Sequence, residues 1–145
     1  MENPAESAGK RFSEGFNCAQ AVFAAFAPRY GLEEKTALKI ASPFGGGVAR
    51  RGEICGAVTG ALLALGLKEG AETPAGKEHI YQLAGEFLRR FTAEHGSLLC
   101  RDLIGCDIST PEGHQQAADK KVFATVCPAL VRQAAQMAES LLEEA

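Results

Sequence analysis

No two of the five cysteines in this 145-residue chain are spaced Cys-x-x-Cys, and none belongs to a Cys-x-x-Cys-His haem attachment site, so any pairing among them must be made by the fold. No apolar run reaches the roughly 20 residues of a membrane span. The longest, Ile54 to Leu67, is broken by glycines that suit a packed core. The opening residues, MENPAESAGKRF, carry an acid at position 2 and no apolar h-region, which argues against a signal peptide and for a soluble cytoplasmic protein. A basic block is also missing. The net charge is −3 from 15 basic and 18 acidic residues, and Arg50-Arg51 and Arg89-Arg90 are too short to make nucleic acid the main partner. No alternating apolar run is flanked by a hairpin turn, so no strand is expected.

What is present reads as helix. Pro4 to Ser13 forms a first helix, and Asn17 caps a second from Cys18 to about Ala27. A third runs from Leu32 to Ala41. Lys77 to His95 carries the clearest amphipathic stripe, with Gly96 as its C-cap. Ser97 caps a short helix through Ile104, Thr110 and Pro111 open another towards Lys121, and Pro128 opens the last. The expected fold is all-α, a single-domain bundle of about six or seven helices around a buried Gly/Ala-rich central helix. The length allows one core that buries about 68–70% of the unfolded surface.

That central helix lies in the stretch FGGGVARRGEICGAVTGALLALGL, Phe44 to Leu67. Gly45, Gly46 and Gly47 allow a sharp turn, Gly66 suits a C-cap, and Gly56 and Gly60 stand four apart on a small-residue face. The glycines with Arg50 and Arg51 fit the general recipe for an anion or substrate loop, or else for a tight connection that lets the helix pack. No Gly-Lys-Ser/Thr follows, so this is not a nucleotide phosphate loop.

Four of the cysteines, Cys18, Cys55, Cys100 and Cys127, fall at or within the first turn of a helix on this reading. A helix N-terminus favours thiolate over thiol, and the thiolate is the form that attacks disulfides and binds metals. Cys106 falls on a loop and is set aside as a bystander. His79, His95 and His114 are read as solvated or capping, and no hydrolase arrangement is seen. The aromatic residues, Tyr30 and Tyr81 among them, are read as core.

The segments NCAQAVFAAFA, FGGGVARRGEICGAVTGALLALGL, SLLCRDLIGCDISTPEG and CPALV together resemble the redox-active C_GCAxxG_C_C family over nearly the whole chain. Cys55 to Gly60 matches its Cys-Gly-Ala-x-x-Gly core. The resemblance implies that Cys18, Cys55, Cys100 and Cys127 are the four family cysteines, with no counterpart for Cys106. Related domains joined to haem-binding segments in split-Soret-type cytochromes imply electron transfer.

Three functions are weighed. The first is thiol–disulfide exchange or electron transfer with a redox partner protein or small thiol; Cys18 with Cys55 and Cys100 with Cys127 is the working pairing among three connectivities. The second is a zinc site or iron–sulfur cluster held by the same four cysteines. The third is a non-catalytic anion-binding module on the glycine loop. A homodimer is compatible with each.

Overall fold

The computed structural model describes residues 3–145; Glu2, part of the N-terminal reading, lies outside them. The chain is all-helical, with nine α-helical segments among the described residues. They are α1 (Pro4–Ser13), α2 (Cys18–Phe26), α3 (Glu34–Ala41), α4 (Gly56–Glu69), α5 (Lys77–His95), α6 (Cys100–Ile104), α7 (Pro111–Asp119), α8 (Val122–Thr125) and α9 (Cys127–Glu144). Seven have eight residues or more. No helix among the described residues is long and apolar enough to cross a membrane.

The termini follow local chemistry. Asn3 Oδ1 accepts from Glu6 N–H and opens α1. Asn17 accepts from Gln20 N–H while the Gln20 side chain accepts from Asn17 N–H, a reciprocal pair that satisfies two donors at the start of α2. Gly96 ends α5 at φ 84°. Helix α4 does not stop at Gly66 as expected. It continues through Lys68 to Glu69, and Gly70 N–H closes it on Gly66 O. Ser97 does not cap α6 either: its hydroxyl accepts from Leu99 N–H and donates to Asp102, and the helix begins at Cys100.

Helix α4 packs against α2, α9 and α5, and α1 packs against α2 and α9. The contact between α2 and α4 is made of very small residues. A methyl group on Gly60 would fall 2.7 Å from Ala19 O, and one on Gly56 would fall 3.0 Å from Ala19 N and 3.1 Å from Cys18 Cβ. The two glycines therefore let the backbones touch and bring Cys55 beside Cys18. Alanines fill the remaining space: Ala19, Ala21, Ala57, Ala61 and Ala134 are wholly buried. Phe26, Phe87, Phe91 and Leu65 supply the bulk.

Burial of α4 is not uniform. Gly56, Ala57, Val58, Gly60, Ala61, Ala64 and Leu65 are buried, whereas Thr59, Leu62, Leu63 and Leu67 are half-buried. On α5 only Phe87 and Phe91 are fully inside, and Tyr81, expected in the core, is 64% exposed.

The glycine loop takes an uncommon path. Gly46, Gly47, Val48, Ala49 and Arg50 all have positive φ, between 50° and 69°, whereas Gly45 is at −68°. Gly45 is required for another reason, since a methyl there would fall 2.5 Å from Asn17 Nδ2. The left-handed turn is tied by Arg50 N–H to Gly45 O, Gly52 N–H to Gly46 O and Glu53 N–H to Gly47 O. Left-handed backbone costs a non-glycine residue about 1–2 kcal/mol, so Val48, Ala49 and Arg50 hold strain that the surrounding structure must offset. Ala49 is exposed. Ala49→Gly is expected to stabilise the protein by about 1 kcal/mol, read as a raised denaturation midpoint; a lowered midpoint would refute the strain.

Candidate functional site

Each of the four cysteines sits at a helix start. Cys18, Cys100 and Cys127 are the first residues of α2, α6 and α9, and Cys55 is the N-cap of α4. Two of them are set side by side by backbone pairing. Cys55 N–H donates to Leu98 O at 2.8 Å and Cys100 N–H donates to Glu53 O at 2.7 Å, flanking an isolated antiparallel bridge between Ile54 and Leu99. Residues i and i+2 of a strand share a face, so the two cysteines leave the same side of this short ribbon. The other two, Cys18 and Cys127, lie close enough to each other for each to shift the titration of its neighbour.

All four line one cavity of about 710 Å³. Gly45, Gly46, Gly47 and Arg50 line it as well, and Arg51 does not: its guanidinium pairs with Glu53 at 3.3 Å. Gly47 presses on the cysteines, since a methyl there would fall 2.7 Å from Cys100 Cβ. The apolar walls include Phe12, Phe16 and Phe123. Cys106 is buried with Cys100 and Cys127 in a small apolar cluster that borders the cavity, but it does not itself line it.

Helix N-termini do not give low thiol pKa values at all four positions. The backbone N–H groups of Ala57 and Val58 at the start of α4 favour thiolate at Cys55, yet burial outweighs them and pushes the thiol from an ordinary 9.0 up to about 11. Burial pushes Cys100 up to about 12. The neighbouring Cys127 and burial push Cys18 up. Only Cys127 is lowered, chiefly by the neighbouring Cys18 thiol. The four cysteines thus divide into one whose pKa is lowered, Cys127, and three whose pKa is raised.

His114, expected to be solvated or capping, lines the cavity, half-buried, with its ring tilted against Phe123 at 5.5 Å between centroids. Nothing local in its sequence placed α7 here. His79 does lie at the surface, 3.0 Å from Glu69. His95 tilts against Phe91 with its Nε2 buried, and burial lowers its pKa. Among the described residues no group of three or more histidine, cysteine, aspartate or glutamate side chains is arranged to hold a metal ion.

Fold and site together define an all-helical protein with a shared cavity of helix-start thiols. The family model described as Putative redox-active protein (C_GCAxxG_C_C) matches residues 16–141, and the chain belongs to that family. No curated protein and no solved structure matches the chain.

Proposed function

We propose that the protein is a thiol–disulfide redox protein in which Cys18 and Cys127 are the exchanging pair and Cys55 and Cys100 a second, buried pair. The supporting observation is the closeness of Cys18 and Cys127 at the wall of one shared cavity, which favours the thiolate on one sulfur and the proton on the other. This pairing replaces the Cys18–Cys55 and Cys100–Cys127 arrangement considered from the sequence.

The chemistry balances with a disulfide as oxidant. The Cys127 thiolate attacks one sulfur of a substrate disulfide, a Cys127–substrate bond forms, and the substrate S–S bond breaks to release a thiolate. Cys18 then attacks the Cys127 sulfur, its proton passing to the second departing thiolate. The products are a Cys18–Cys127 disulfide, one free thiol and one free thiolate. Two electrons have moved from the pair to the substrate, and an external dithiol returns them.

Protein purified without oxygen and then mildly oxidised should lose two thiols first, and peptide mapping should place them in a Cys18–Cys127 link. A first-formed link between Cys18 and Cys55 would overturn the assignment.

A further inference from the structure

Resting on that redox reading, we infer that the cysteine cavity takes a small disulfide bearing carboxylate groups, with its sulfurs at Cys127 and a carboxylate at the Arg50 mouth. The observation is a charge asymmetry. Among the described residues no aspartate or glutamate lines the cavity, although the chain has 18 acidic residues against 15 basic ones. Its only non-cysteine ionisable side chains are Arg50 and His114. Arg50 is exposed and forms no ion pair among the described residues. Both side chains also line an adjoining surface depression with Arg51, Ser109 and Thr110, again without a carboxylate. An anion entering from this side meets the unpaired Arg50 guanidinium and no carboxylate in the lining among the described residues.

The glycine loop adds donors to the same wall. The carbonyls of Gly45, Gly46 and Gly47 are taken by Arg50, Gly52 and Glu53, whereas their N–H groups have no hydrogen-bond partner among the described residues. The loop therefore has three unpartnered N–H donors at residues that line the cavity.

Size and depth select a small molecule rather than a protein disulfide. A volume of about 710 Å³ suits a small ligand. Cys55, Cys100 and Cys127 are only 3%, 8% and 7% exposed, so their sulfurs are recessed from a flat partner surface. Between sulfur and mouth the apolar walls accommodate the carbon skeleton.

The test compares three disulfides of similar length: dithiodipropionate, a dianion; bis(hydroxyethyl) disulfide, neutral; and cystamine, a dication. The reduced protein should turn over the dianion fastest. Arg50→Gln should slow the dianion about fivefold while changing the neutral probe less than about twofold. Equal loss for both probes, or a preference for cystamine, would overturn the inference. Thiodipropionate, the thioether analogue, separates this site from the redox chemistry because it cannot exchange. Its binding should shift the amide resonances of Gly45, Gly46 and Gly47 in the wild type and less so in Arg50→Gln. Shifts without reduction of any disulfide would keep the anion site and remove the redox reading; absence of shifts would remove the anion site whatever the redox result.

Discussion

Gly60→Val should destabilise the protein by about 3 kcal/mol, because overpacking at a site walled by backbone cannot be relieved by rotating a neighbour. The first added carbon would meet Ala19 O at 2.7 Å, Ala19 Cα at 3.0 Å and Val22 Cβ at 3.1 Å, so α2 and α4 must separate. That separation also parts Cys18 from Cys55, which sit at the start of the same contact. Gly66→Ala is the control. It lies in the same helix with nothing within 4 Å of the added methyl, and should gain about 0.5–1 kcal/mol from helix propensity. Chemical denaturation of the two variants decides the point: equal shifts in the same direction would contradict the packing account.

Loss of the Cys18 thiol should slow the alkylation of Cys127. The neighbouring Cys18 thiol is the largest influence lowering the Cys127 pKa, and burial pulls the other way. In wild-type protein the iodoacetamide rate at Cys127 should inflect below pH 9.0, the ordinary value for a thiol here. In Cys18→Ala the charged form loses that influence while desolvation stays, so the inflection moves upward. At neutral pH the rate should fall about tenfold, the equivalent of one pKa unit. Cys55 and Cys100 should stay unreactive until pH rises towards about 11 and 12. An unchanged Cys127 profile in Cys18→Ala would mean that Cys18 does not shift the titration of Cys127.

The legible parts of this fold were local. Pro4, Asn17, Gly96 and the Thr110–Pro111 pair mark helix ends by capping chemistry that acts within three or four residues, and the helices begin or end there. The end of α4 was misplaced because Gly66 is tolerated inside a helix whose next residues, Lys68 and Glu69, propagate it. The placement of four cysteines at helix starts was legible for the same local reason.

Their mutual arrangement was not. The closeness of Cys18 and Cys127 joins residues far apart in the chain, and the Cys55–Cys100 neighbourhood depends on a single bridge from Ile54 to Leu99. The expected general lowering of thiol pKa failed because the helix-end effect acts locally while burial is a property of the assembled core. Val48, Ala49 and Arg50 in left-handed backbone also had no signal in their own side chains, since only the adjacent glycines favour that conformation. His114 reaches the cavity because α7 folds back over it, a tertiary consequence.

The most direct measurement is a free-thiol count on protein prepared without oxygen, before and after reaction with one equivalent of a small disulfide, with metal analysis of the same sample. Loss of two thiols, recovered as a Cys18–Cys127 linked peptide in metal-free protein, is the predicted result. Stoichiometric zinc or iron with the four cysteines protected from the disulfide would contradict the account and make the cavity a metal site.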